Sequence, residues 1–122
     1  MSRLLIIEDE PLLLNDIVEL LTYAGFEAFG AATGAKGLRM LPDVQPDLII
    51  CDIMMPELDG HEVLRAVRAN PATAKLPFIF LTAVTDPDSR ENSIAQGANL
   101  YLTKPFSHTD LIDAINDCLE KA

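Results

Sequence analysis

At 122 residues, 49% of them apolar, the chain has material for one domain with a real core and too little for two, so a single domain over 1–122 is expected. Nineteen acidic against nine basic residues leave a formal charge of −10, which argues against direct nucleic-acid binding, where a basic face is needed. No apolar run approaches the ~20 residues of a membrane helix, and Met1-Ser2-Arg3 runs into Leu4–Ile7 and then acid without a cleavage signal, so a cytoplasmic protein without membrane contact is expected. Cys51 and Cys118 match no metal or redox spacing and read as small buried side chains.

In chain order the pattern is strand then helix, five times over. Leu4–Ile7 is an unbroken apolar run, as for a strand covered on both faces. Pro11 opens a helix where its missing N–H is harmless; Leu13, Ile17, Leu20, Leu21 and Ala24 recur at helical spacing, and Gly25 stops it. Phe26–Phe29 reads as the second strand and Gly34–Leu41 as a short helix ending before Pro42. Leu48–Cys51 is the third strand. The loop from Asp52 to Gly60 carries Pro56 and an Asp-Gly turn pair. Val63, Leu64, Val67 and Arg68 belong to the third helix, which frays at Asn70-Pro71. Phe78–Leu81 is the fourth strand, Asp86–Gln96 a polar fourth helix closed by Gly97, and Leu100–Leu102 a short fifth strand. Ser107 with Asp110 forms a capping box for the last helix, whose inner stripe is Leu111, Ile115, Cys118 and Leu119.

Such alternation implies an α/β fold, with a doubly wound five-stranded parallel sheet of order 2-1-3-4-5 flanked by five helices. Ligands of such sheets bind beyond the carboxyl ends of the strands, where strand order reverses. There the sequence places Glu8-Asp9-Glu10 after strand 1, Asp52 after strand 3, Thr82 at strand 4 and Lys104 after strand 5. Like charges ~4 Å apart cost about 1 kcal/mol in water and about 4 at an effective dielectric of 20, so such a cluster needs a counter-charge. Hard oxygen ligands suit Mg²⁺, with Mn²⁺ able to substitute, which keeps open positions for phosphate. The set describes phosphoryl transfer to a carboxylate, where catalysis is positioning and charge neutralisation. Asp52 is the nucleophile, with Lys104 and Thr82 holding phosphoryl oxygens.

These residues resemble the receiver domain of two-component response regulators, a family of flavodoxin-like fold. The matching motifs are Leu5-Ile6-Ile7-Glu8-Asp9-Glu10, Asp52-Ile53-Met54-Met55-Pro56 with Asp59-Gly60, Phe80-Leu81-Thr82-Ala83, and Gly97-Ala98 leading to Tyr101-Leu102-Thr103-Lys104-Pro105-Phe106. The resemblance implies that Asp52 is the phosphoacceptor, Asp9 a direct Mg²⁺ ligand, Glu8 a ligand through water, and Met54 a ligand through its backbone carbonyl. It implies a cis Lys104–Pro105 bond and a switch made by Thr82 and Tyr101. The side chains of Met54 and Val84 would tune phosphoryl lifetime. It also implies a histidine kinase or histidine phosphotransfer protein as donor, and a downstream partner or output domain on the face of helix 4, strand 5 and helix 5. The chain is then a phosphoacceptor switch that assists its own phosphorylation and dephosphorylation, rather than an enzyme. Glu8 replaces a more frequent Asp, and Asn99-Leu100 stands where an acidic pair is common.

Blander roles compete for some positions. Glu10 is suited to the first helix's dipole, and Tyr101 could be a half-buried edge aromatic. His61 and His108 read as surface residues, and Met40, Met54 and Met55 as filler. Three other functions remain: a Mg²⁺-dependent aspartyl-phosphate hydrolase, disfavoured because Met54 stands where its second Asp belongs; a flavodoxin-like nucleotide binder, disfavoured by acid after strand 1; and a degenerate receiver used as an unphosphorylated docking module.

Overall fold

The computed structural model describes residues 1–83 and 87–121. Val84, and Asp86 as the expected start of the fourth helix, lie outside them. Strands and helices alternate throughout: β1 (Arg3–Ile7), α1 (Pro11–Tyr23), β2 (Glu27–Ala31), α2 (Gly34–Val44), β3 (Leu48–Cys51), α3 (Gly60–Ala69), β4 (Phe78–Thr82), α4 (Pro87–Ala95), β5 (Leu100–Thr103) and α5 (His108–Lys121). All pairings are parallel, in the order β2-β1-β3-β4-β5, as the alternation implied. Among the described residues no helix is long and apolar enough to cross a membrane.

The strands are apolar at every central position because both faces are covered. Leu5, Ile7, Ile49, Cys51, Phe78 and Phe80 point to one layer with Val63, Leu64 and Val67 of α3. Their neighbours Leu4, Ile6, Leu48, Ile50, Ile79 and Leu81 point to the other, against Ile17 and Leu21 of α1 and Leu111, Ile115 and Cys118 of α5. That strict alternation pins the register, since a one-residue slip would exchange the two layers. Both cysteines are buried and free.

Several boundaries differ from the sequence reading. β2 runs over Glu27–Ala31 rather than Phe26–Phe29, because its ladder with β1 pairs Arg3 with Glu27 and carries on to Ile7 with Ala31. α2 does not stop before Pro42 but continues to Val44. Proline forfeits one hydrogen bond there, yet Leu41 and Val44 are both buried, and Gln45, in the left-handed region at φ 49°, donates its N–H to the Leu41 carbonyl at 2.9 Å. The Ser107–Asp110 capping box forms as expected, with Asp110 N–H donating to Ser107 Oγ at 3.0 Å. A second box, Asp59 with Glu62, opens α3.

Arg68 holds the turn between α4 and β5 in a way its helical spacing did not reveal. Its guanidinium donates to the carbonyls of Gly97 (2.7 and 3.1 Å) and Leu76 (2.6 Å) and to Asn99 Oδ1 (3.1 Å). Asn99 Oδ1 also accepts from the Phe78 backbone N–H at 2.9 Å, fastening the entry of β4. Asn99→Ala removes both contacts and leaves a backbone donor without its acceptor, so urea denaturation should show a loss of about 1–3 kcal/mol. Asn99→Asp keeps the accepting oxygen and should stay close to the wild type; equal losses in the two variants would place the effect elsewhere.

Candidate functional site

The registers bring the strand ends together. Ile7 lies level with Cys51 and Thr82 level with Thr103, so Glu8 and Asp52 follow side by side and Lys104 follows β5 beside Thr82. The Asp52 N–H donates to the Ile7 carbonyl (3.0 Å) and the Lys104 N–H to the Thr82 carbonyl (2.8 Å), which continues the ladders past the sheet. The Lys104–Pro105 bond is cis, as the resemblance implied.

At this rim Lys104 Nζ sits between two carboxylates, 2.8 Å from Glu8 Oε1 and 3.0 Å from Asp52 Oδ2. Both acids are buried, Glu8 with 2% and Asp52 with 6% of their surface exposed. The second oxygen of each is engaged by backbone. Glu10 N–H donates to Glu8 Oε2 at 3.1 Å, and Met54 N–H reaches Asp52 Oδ1 at 3.4 Å. Asp9 completes the group: Glu8, Asp9 and Asp52 each offer a carboxylate oxygen within 4.8 Å of the others. Three hard oxygen donors against one ammonium form a donor set that fits a divalent cation such as Mg²⁺. Thr82 is fully buried at the end of β4.

Of the residues the sequence named, Glu8, Asp9, Asp52 and Lys104 come together at this rim, and Thr82 lies beside Lys104 through its backbone carbonyl. Tyr101 is not a half-buried edge aromatic. It is 3% exposed, edge-on to Phe80 at 6.4 Å between ring centroids, with its hydroxyl 3.3 Å from Ser89 Oγ of α4. Met54 is not filler, being 68% exposed at the rim, whereas Met55 is buried. His108 is exposed as expected, but His61 is half-buried; its ring lies against Phe80 and its Nδ1 is 3.0 Å from Gln96 Oε1. Gly60 was read only as a turn residue. A Cβ there would collide with the Asp52 carbonyl and stand 2.8 Å from Ile53 Cα, so this glycine lets α3 begin directly against the Asp52 backbone. The Asp-Gly pair was the visible signal, and the packing partner was not.

Burial pushes the Glu8 carboxyl from 4.5 up to about 7; hydrogen bonds from Lys104 and the Glu10 amide oppose the rise, and the Asp52 charge adds to it. For Lys104 burial acts most strongly and downward, but the hydrogen bonds to Glu8 and Asp52 together with their charges outweigh it, and the net shift is upward. For Glu8, a native value above the unfolded one means the fold favours the neutral form. That contribution is complete below about 4.5 and is lost as pH rises through about 7. In EDTA, urea stability should decline between pH 5 and pH 8 by a part that Glu8→Gln abolishes. An unchanged slope in that variant would assign the decline to other groups.

Comparison with known proteins bears on this geometry. A family model described as the response regulator receiver domain matches residues 4–116. Over 122 residues the chain is 35% identical to the DNA-binding dual master transcriptional regulator RpaA of Synechocystis, covering 99% of this chain and 50% of that one. The chain spans about half the length of the curated relatives it matches. The chemotaxis protein CheY4 of Vibrio cholerae superposes with a TM-score of 0.92 at 30% identity, covering 97% and 98% of the two chains. The receiver domain of a sensor histidine kinase from Pseudomonas aeruginosa, solved with a magnesium ion in its active-site cleft, gives 0.88 at 30% identity over 98% of each chain. The acidic rim, the sheet order and a family match across nearly the whole chain agree: this chain belongs to the response regulator receiver domain family.

Proposed function

We propose that this chain is a single receiver module that accepts a phosphoryl group on Asp52 from a histidine kinase or a histidine phosphotransfer protein. The observation that carries the reading is Lys104 Nζ bridging Glu8 and Asp52 with Asp9 alongside. An Asp52 carboxylate oxygen attacks phosphorus of the phosphohistidine; the P–O bond forms as the P–N bond breaks, and the leaving imidazole nitrogen takes the electron pair and then a proton from solvent. Lys104 is already within hydrogen-bond reach of Asp52, and turns to a phosphoryl oxygen with little movement. The Thr82 hydroxyl takes another. The carboxylates of Asp9 and Asp52 and the Met54 carbonyl would hold Mg²⁺ or Mn²⁺, with Glu8 acting through water, supplying the charge neutralisation that phosphoryl transfer needs. The magnesium in the cleft of the Pseudomonas receiver supports that assignment.

Thr82 and Tyr101 then form the switch toward the face of α4, β5 and α5. Tyr101 is already buried here, so phosphorylation biases a conformation the free protein can occupy rather than creating one. The DNA binding named for the Synechocystis relative belongs to a chain twice as long; with a formal charge of −10, these residues suit contact with protein rather than with nucleic acid. A hydrolase reading fares worse, because the exposed Met54 has no proton to give. A docking module that is never phosphorylated would not need all of Glu8, Asp9, Asp52 and Lys104.

Treatment with a phosphohistidine donor should add one phosphoryl group, by intact mass, only with Mg²⁺ or Mn²⁺ present. The same label retained in Asp52→Ala would remove Asp52 as acceptor. Lifetime is a second test. Hydrolysis needs a water in line with the Asp52–phosphorus bond, and the thioether of Met54 stands exposed at that rim without a group to orient water. Phosphate-release kinetics should show a lifetime of minutes or longer, shortened by Met54→Asn toward about tenfold, equivalent to about 1.4 kcal/mol of barrier. A half-life of a few seconds in the wild type would show that Met54 does not restrict water.

A further inference from the structure

Helix α4 makes no strong hydrophobic claim on the sheet: of Pro87–Ala95 only Ser93 is fully buried, and Ile94 is 44% exposed. Polar contacts at its two ends help to place it. Near its start, Ser89 Oγ meets the Tyr101 hydroxyl at 3.3 Å and Ser93 Oγ donates to the Ser89 carbonyl at 2.8 Å. At its finish, Gln96 Oε1 lies 3.0 Å from His61 Nδ1. With Gln96 presenting its carbonyl oxygen, Nδ1 is the donor. The Gly97 carbonyl is held in turn by Arg68.

His61 is the residue immediately after Gly60, whose backbone leaves no room for a Cβ against the Asp52 carbonyl. The Gly60 backbone is thus packed against the phosphoacceptor segment, while the side chain of the next residue, His61, reaches the end of α4. The ring also lies against Phe80, centroids 5.2 Å apart, and Phe80 is edge-on to Tyr101. His61 therefore joins the end of α4 directly and Tyr101 through the Phe80 ring, and it follows in the chain the glycine that packs on the Asp52 carbonyl.

We propose that His61 and Gln96 form a clasp that holds the C-terminal end of α4 against the start of α3, and that this clasp favours the α4 position in which Tyr101 is buried, so coupling α4 to the state of Asp52. The clasp itself stands on geometry; the coupling rests on the phosphoacceptor reading above. His61 and Gln96 are positioning residues, since neither touches the reacting atoms. By linkage, whatever stabilises the buried-Tyr101 arrangement strengthens binding of any ligand that prefers it, and the ligand strengthens the clasp by the same factor.

The test uses the whole chain, His61→Phe (which keeps a ring on Phe80 but has no donor), Gln96→Leu and the double variant. In the free protein, hydrogen exchange of α4 amides should rise about fivefold in each single variant, the gain expected from losing one hydrogen bond, and no further in the double. With Mg²⁺, the affinity for the phosphoryl mimic beryllofluoride should fall by a similar factor while the affinity for Mg²⁺ alone stays constant, a split that simple destabilisation would not produce. Unchanged α4 exchange, or additive effects in the double variant, would overturn the clasp. Faster exchange with unaltered beryllofluoride affinity would overturn the coupling alone. Failure of the wild type to bind beryllofluoride at all would overturn the phosphoacceptor reading and the coupling with it, leaving the exchange result to decide the clasp.

Discussion

One ammonium group lying between two buried carboxylates is the constraint on which the rest of the molecule depends. Lys104 reaches both Glu8 and Asp52 only while three separate strand ends stay in register. A strand rises about 3.3 Å per residue, so a slip of one residue would carry either acid out of reach and turn its side chain to the opposite face. The alternating layers prevent that slip, because every central strand residue is committed to one of two apolar clusters. The core does more than stabilise the domain: it fixes the coordinates of a charge cluster that would not assemble by itself. Loss of Lys104 would leave Glu8 and Asp52 facing each other without a counter-charge, a cost of about 3–5 kcal/mol.

The same logic explains what could be read from the residues. Strand identities and order were legible because apolar runs end abruptly in charge, at Ile7-Glu8, Cys51-Asp52 and Thr103-Lys104. Each of those steps marks where the sheet stops and the rim begins. Caps were legible where both partners lie close in sequence, as at Ser107 and Asp110. The missed features are those whose partners lie far along the chain. Arg68 binds residues 8, 29 and 31 positions away, and His61 binds one 35 positions away, so helical periodicity alone makes them look like ordinary surface residues. Pro42 misled for a related reason. A local rule ends the helix there, and burial of Val44 beyond it overrides the rule.

Glu8 shows how a departure from the commoner residue acquires a physical meaning. Its two oxygens do different work, Oε1 accepting from Lys104 and Oε2 from the Glu10 amide. An aspartate would be shorter by one methylene. The longer arm therefore ties the start of α1 to the lysine that follows β5. It also carries a cost, because the carboxyl is drawn into a place where its charge is poorly solvated, and its ionisation is pushed up to about 7. A cation beside these oxygens would offset that cost, since a nearby opposite charge favours the ionised carboxylate.

Helix α3 links this rim to the far layer. Its first residue is a glycine because the Asp52 carbonyl occupies the space a side chain would need, and its capping box, Asp59 with Glu62, belongs to the same turn. Along one flank the helix then presents His61 and Arg68, seven residues apart, to successive points of the α4–β5 turn. Close-packed elements shift as units rather than deform continuously, and the start of α3 is tied to the Asp52 loop, where the Gly60 N–H donates to the Ile53 carbonyl at 2.9 Å. The eight-residue connection between β3 and α3 thus has two sides, Ile53 and Met55 buried against the core and Met54 in solvent, with Glu57 at φ 66°.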